Sequence, residues 1–331
     1  MPADSGTLSV TMELGDLGVF RRSCLRGSTV RMVEIPAHPR GRYGMRMPTE
    51  FTDKHLLTEL GPVVEENLAR HIAEADGWLP HDLVPWDQGK NFAFMGGTDW
   101  SADQSTLSEV EALALTVGVL VADNVPAYHR EIAKHLAMVG PWWRWVGRWT
   151  AEENRHSIVL RNYLMVTRAV DPVALERARM DEMVRGYAMP PMHLLEMLAN
   201  SAFEEKAAAV RHHNTAALAE DPLVASIEAR LAADDELQSV FYRNVVEGAF
   251  AVAPDQTMRA IASRIDAFDV PSVELPGGKN STAVLAEAGI YDPAHQREKV
   301  FAPLLAAWNI AGRSDVGTEG EKAREKLSAL L

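Results

Sequence analysis

The segment Trp149-Thr-Ala-Glu-Glu-Asn-Arg-His156 is where residue types and spacing first suggest chemistry. Glu153 and His156 stand three apart, so on a helix a carboxylate and an imidazole share one face and can hold one iron. A single Glu-x-x-His is a weak signal, because the spacing recurs on solvated helix faces. Here, however, Trp149 and Ile158-Val159-Leu160 flank the polar residues, so part of the face is enclosed. An enclosed carboxylate is costly unless it is paired or coordinated. Two other segments repeat the situation. Glu204 and Glu205 stand between Phe203 and Ala207-Ala208-Ala209-Val210, with His212 and His213 following, and Asp234, Asp235 and Glu236 precede Gln238. Three long apolar helices that each carry an acidic cluster near mid-length point to one shared site better than to three solvated faces.

The elements that must position these residues can be read from apolar periodicity. From Thr52 onward, Leu57, Leu60, Val64, Leu68 and His71 fall at three- and four-residue spacing, which predicts a first core helix. Residues 77–104 are rich in Trp, Pro, Gly and Asp, and Trp78, Trp86, Phe92, Phe94 and Trp100 predict a packed, ordered loop. Thr106-Leu-Ser-Glu109 reads as a capping box opening a second helix that runs towards Ala137, with a kink at Pro126. A third helix opens near Pro141 and ends before Asp171-Pro172, and a shorter one covers residues 173–186. Two long helices follow, over residues 193–218 and 223–252, then shorter ones over 257–268, 281–288, 293–308 and 318–331. No region alternates with period two and no repeat recurs at fixed spacing, so the fold class is all-α, with long successive helices that suggest an antiparallel bundle.

The first 46 residues are set apart by seven arginines among Pro and Gly without helical periodicity, and read as a flexible or overlong extension before a domain over residues 47–331. Acidic residues interrupt a transit-peptide reading, and no apolar segment fits a secretory signal. Composition narrows the function classes. With 47% apolar and 24% charged residues among 331, the chain is globular, and its richest apolar run, residues 113–125, is too short to span a bilayer. One cysteine, Cys24, rules out an intramolecular disulfide and multi-thiolate zinc sites, and a reducing cytoplasm is the expected compartment. A net charge of −13 argues against nucleic acid as a partner.

Taken together, these motifs resemble the soluble acyl-carrier-protein desaturases, diiron enzymes of plant plastids and actinobacteria, with the actinobacterial branch nearest. The residues 149–156 match the family's first iron-binding helix, and Trp78-Leu-Pro-His-Asp82 is similar to the loop after its first helix. Asn124-Val-Pro-Ala-Tyr-His-Arg-Glu131 resembles its second core helix, and Glu205 through His212 with Asn214-Thr215-Ala216 its fourth, so that the likeness spans residues 52–308. The resemblance implies a ferritin-like four-helix bundle core with additional helices.

It also implies two irons held by two Glu-x-x-His pairs and two further glutamates. Carried over, Glu153 is a bridging ligand, His156 a terminal ligand to one iron and Glu205 a terminal ligand to the other. The remaining positions depart from the family: its second-helix glutamate falls on Ala122, and its second Glu-x-x-His falls on Asp235 and Gln238. A methyl group cannot coordinate, a neutral amide is a poor exchange for imidazole at iron, and aspartate is shorter than glutamate by roughly 1.5 Å. Asp123 and Glu236 lie one residue from the altered positions, about 100° around a helix, and point elsewhere unless a π-bulge re-aims them. In the outer layer the resemblance makes Asp234 the partner of His156 and Trp78 the outward end of an electron route. For a tunnel the sequence offers Leu113, Val117, Met165, Met192, Met197 and Phe203. The implied function is dioxygen-dependent introduction of a cis double bond into a carrier-bound acyl chain, with a ferredoxin-type donor and a homodimeric assembly. Given the depleted ligands, one iron or none is the alternative to two. A homologue without catalysis that binds acyl carrier protein or an acyl chain as a scaffold or regulator is the alternative function, and different oxidative chemistry on such a chain is a third.

Overall fold

The computed structural model describes residues 50–330. The expected N-terminal extension, residues 1–46, lies outside the described residues.

Asp53–Glu59 (α1) and Gly61–Glu74 (α2) take the place of the single first helix expected. Gly61-Pro62 opens α2, and Pro, which lacks an N–H, is at home in a first turn but not in a helix interior. The apolar face survives the break: Leu56, Leu60, Val64, Leu68 and His71 are all buried, while Leu57 is only half-buried. Glu109–Asp123 (α3) and Val125–His135 (α4) likewise replace one helix, bent by 46° at Asn124 ahead of Pro126. Gly140–Val166 (α5), Pro172–Arg185 (α6), Leu194–Leu218 (α7) and Pro222–Val252 (α8) follow. Asp171 and Asp221 cap α6 and α8 by accepting from the next two backbone N–H groups, each ahead of a first-turn Pro.

Helices α3, α5, α7 and α8 form the bundle, with α2 packed along α5 and α8. Small buried residues of α7, among them Ala199, Ala202, Ala207 and Ala209, let α8 approach closely enough for Ser239 Oγ to donate to the Ala202 carbonyl at 3.2 Å. Pro254–Ala267 (α9) covers one end with Thr318–Ser328 (α13). Between them lie a two-stranded hairpin, Glu274–Leu275 with Lys279–Asn280, then Ser281–Glu287 (α10), Pro293–His295 (α11) and Ala302–Ala307 (α12). Gln296–Phe301, joining the last two, is π-helical. That irregularity is far in sequence from α3 and α8, whose ladders contain none, so nothing re-aims Asp123 or Glu236.

The capping box of α3 is not Thr106 with Glu109. Ser108 accepts from the Glu111 N–H at 3.2 Å, and Glu111 Oε2 accepts from the Ser108 N–H at 2.9 Å. The other oxygen, Oε1, accepts from the N–H groups of Glu220 and Asp221, at 2.8 and 3.0 Å, which ties α3 to the turn between α7 and α8.

The long loop is ordered, but by a residue of α5's end. Arg168, buried and in the left-handed region at φ 55°, donates to the carbonyls of Lys90, Asn91 and Thr98 and to Gln104 Oε1, at 2.8–3.2 Å. Its guanidinium also lies 4.2 Å from the Phe92 ring centre, and Trp100 Nε1 donates to the Arg168 carbonyl. Not every aromatic packs: Phe94 is 97% exposed and Trp86 51%. Close approach also fixes the turn, since a Cβ on Gly97 would stand 1.8 Å from the Asn91 oxygen. Arg168→Lys keeps the charge but loses the fork that reaches four acceptors. It is expected to cost about 2–3 kcal/mol and to expose residues 90–104 to limited proteolysis before the bundle melts. An unchanged melting temperature and cleavage pattern would contradict that role.

Candidate metal centre

Helices α5 and α8 run antiparallel at mid-bundle, bringing His156 opposite Asp234 and Asp235. One donor atom from each of Glu153, His156 and Asp235 lies within 4.8 Å of the others. His156 Nδ1 is 3.8 Å from Glu153 Oε1 and 3.6 Å from Asp235 Oδ1. Its other nitrogen, Nε2, faces Asp234 Oδ2 at 3.4 Å, and that oxygen also accepts from Trp78 Nε1 at 2.8 Å and from Arg155 at 3.1 Å. Arg230 holds the second Asp234 oxygen at 2.9 Å. Asp234 is thus fully partnered and orients the ring, leaving Nδ1 towards the carboxylates.

The carboxylates facing the centre are not satisfied. Glu153 Oε1 and Asp235 Oδ2 are buried without a hydrogen-bond partner, as is Gln238 Oε1. Burial pushes the Glu153 carboxyl up to about 7, against the pull of His156, and raises that of Asp235. Burial alone would lower the His156 imidazolium, but Glu153, Asp234 and Asp235 outweigh it and push the group up to about 9. Asp234 moves the other way: its burial is outweighed by bonds from His156 and Trp78 and by the charge of Arg230, which hold it below the usual carboxylate range. Buried oxygens aimed at one point without partners are what a cation would satisfy.

The remaining expected ligand positions do not complete a second metal position. Glu205 Oε1 accepts from Trp149 Nε1 at 2.8 Å, and burial beside Glu153 and Asp235 raises its carboxyl well above the ordinary value. Gln238 turns an amide N–H towards Glu152 Oε2 at 3.4 Å, where an N–H donor stands in place of a ligand lone pair. Ala122 lines the cavity and offers a methyl group. Asp123 is engaged by Ser157 and by Arg179 at 3.4 Å, and Glu236 by Lys206, so both face away. Among the described residues, the donors close enough to share a cation are those of Glu153, His156 and Asp235.

Sequence reasoning passed over several residues here. Glu152, adjacent to Glu153, turns about 100° around α5, where it pairs with His71 at 2.8 Å and Arg148 at 2.5 Å. Glu228 pairs with His212 Nδ1 at 2.5 Å. A glutamate doublet on a helix always sends its two members in directions about 100° apart, which could have flagged Glu152; nothing local marks Glu228.

A cavity reaches the centre. Ala114, Val117, Gly118, Val121 and Leu160 supply an apolar wall, and Tyr128, Tyr187, Glu204 and Arg211 a polar one. Of the residues expected to line a tunnel, Val117 does so. Met197 and Phe203 are fully buried core, Leu113 and Met192 are packed against that core, and Met165 lines a separate surface groove with Phe92 and Met180. A deeply buried side chain fills space that a tunnel would need, which periodicity alone does not reveal.

A helical bundle that holds a Glu-x-x-His pair against an acidic helix beside an apolar cavity defines the ferritin-like class. The family model described as fatty acid desaturase matches residues 52–331, and the chain belongs to that family, on the actinobacterial branch of the acyl-carrier-protein desaturases. It is 41% identical over 293 residues to a Mycobacterium tuberculosis protein named "Putative acyl-[acyl-carrier-protein] desaturase DesA1", covering 86% of this chain and 87% of that one. The crystal structure of DesA2 from the same organism superposes with a TM-score of 0.64 at 37% identity, over 78% of this chain and 97% of that one. A palmitoyl-carrier-protein 4-desaturase of Ophrys sphegodes is 28% identical over 89% of this chain and 84% of its own length. No single helix among the described residues is long and apolar enough to cross a membrane.

Proposed function

We propose that this protein binds the fatty acyl chain of an acyl carrier protein in the bundle cavity and removes hydrogen from adjacent methylenes, forming a cis double bond. The observation that carries the reading is the cavity itself, which sets an apolar wall of α3 and α5 against Glu153, His156 and Asp235. An unbranched chain gains by leaving water for such a wall, and enclosure fixes which carbons lie nearest the carboxylates. The reaction balances as loss of two hydrogens from the chain while dioxygen, two electrons and two protons become two waters. The electrons require an external donor, for which a ferredoxin-type protein is the expectation, and a homodimer is the assembly proposed with it. The family's paired iron does not fit the donors present.

A second reading has its own observation. Ala122 and Gln238 are what a homologue retaining the acyl site without oxidation would carry. Incubation of iron-loaded protein with dioxygen, a reducing system and acyl carrier proteins bearing saturated chains of graded length separates the two. Mass spectrometry of the released chains is expected to show an alkene from one length range. Binding of the carrier without product would establish the scaffold reading, and neither binding nor product would sink both.

A further inference from the structure

We infer that His212 supplies the ligand lost at Ala122, so that the chain carries a single-cation site of Glu153, His156, Asp235 and His212. The inference deepens the reading of the cavity as an oxidative centre and rests on it only for the choice of iron as the cation.

Three observations support it. First, His212 Nδ1 is occupied by Glu228 at 2.5 Å, which directs Nε2 inward, where it stands 3.7 Å from Asp235 Oδ2. A carboxylate behind an imidazole that faces a cluster of donors is the arrangement that orients metal-ligating histidines, and Asp234 behind His156 is a second copy of it. Secondly, Asp235 Oδ2, the oxygen His212 faces, is buried without a hydrogen-bond partner, while Oδ1 faces His156. The unpartnered oxygen belongs to a side chain that is 2% exposed. Thirdly, Glu153, His156 and Asp235 each offer a donor atom within 4.8 Å of the others, and His212, which lies outside that group, meets it through Asp235 and must move inward to share its ion. Donors sharing a cation at about 2.0–2.2 Å stand roughly 3.0–3.5 Å apart, a few tenths of an ångström below the 3.6, 3.7 and 3.8 Å found here. The two ring centres are 6.3 Å apart.

His212 also lines the cavity together with Ala122 and His156. Two imidazoles and two carboxylates favour a first-row divalent transition metal over magnesium or calcium, and the cavity side of the set stays open. On the Gln238 side, by contrast, an amide N–H faces Glu152 and nothing replaces a ligand.

The test is metal binding by the full-length protein, freed of metal and titrated anaerobically with Fe(II), with Co(II) as a spectroscopic probe. One ion per chain is expected, with Co(II) visible bands of low coordination number. His212→Ala should weaken binding more than the roughly 10- to 100-fold expected of Glu228→Gln, and both should shift the Co(II) bands. His213→Ala, which alters the exposed neighbouring ring, should leave binding unchanged. Circular dichroism and melting of each metal-free variant show that it folds, and His212→Gln, which keeps volume and polarity, replaces any that does not. Two ions per chain, none, or an affinity and spectrum indifferent to His212 would each overturn the inference. A single ion held through His212 without any alkene would overturn the proposed reaction and leave the site standing, and alkene formation with two ions would do the reverse.

Discussion

Combining Ala122→Glu, Asp235→Glu and Gln238→His is expected to raise bound iron from one to two per chain and to increase alkene formation by at least about tenfold. The estimate is a floor, since loss of even an outer partner of a ligand costs about 10- to 100-fold and three ligand positions change here. Each substitution has a role. Position 122 lines the cavity together with His156 and His212, so a carboxylate introduced there enters the space that both imidazoles border. The extra methylene at 235 lets one carboxylate reach between two cations. An imidazole at 238 stands beside Glu152, which accepts from the present amide and is held by His71 and Arg148. It thereby gains the carboxylate support that Glu228 gives His212. Metal analysis and Mössbauer spectra of the iron-loaded triple variant decide the matter. If one ion remains and turnover is unchanged, the account of a lost second position is wrong.

The second large effect concerns the support of the centre rather than its ligands. Trp145 is fully buried on α5, two turns before Glu152, stacked on Phe241 at 3.5 Å between ring centres, with the edges of His71 and Tyr242 at 5.0 and 5.5 Å. Trp145→Ala is expected to lower stability by about 3–5 kcal/mol, because the removed ring leaves a cavity that long bundle helices cannot close. A denaturant midpoint shifted without a change in slope is the expected signature, and Trp145→Phe should recover a large part of the loss. A loss below about 1 kcal/mol would show that the neighbouring rings repack.

The bundle was legible because its helices are long and their apolar faces regular, and the pairing of Glu153 with His156 because three-residue spacing survives any tertiary arrangement. Asp234 and Trp78, expected to be linked, stand at 2.8 Å. The start of α3 was not legible. Thr106-x-x-Glu109 and Ser108-x-x-Glu111 both satisfy the capping pattern, and what selects the second is the reach of Glu111 to Glu220 and Asp221, a contact with a turn more than a hundred residues away. His212 escaped for a similar reason. It lies two turns beyond Glu205 on α7, and only the antiparallel packing of α7 on α8 sets it against both Glu228 and Asp235. Arg168 gave no local signal, since arginine rarely adopts a left-handed backbone and nothing nearby in sequence names its acceptors.

The cradle that Arg168 forms bears on how such a chain can change length over generations. Surface loops ordinarily absorb insertions at small thermodynamic cost, and by length alone residues 75–108 are a natural place for them. Here the carbonyls of Lys90, Asn91 and Thr98 converge on one guanidinium, and Gly97 is pressed against the Asn91 carbonyl. A residue added between them would separate acceptors that must meet. Drift in length is therefore kept outside residues 90–104, and the tip, exposed as it is at Phe94 and Met95, can vary in residue type but not in register.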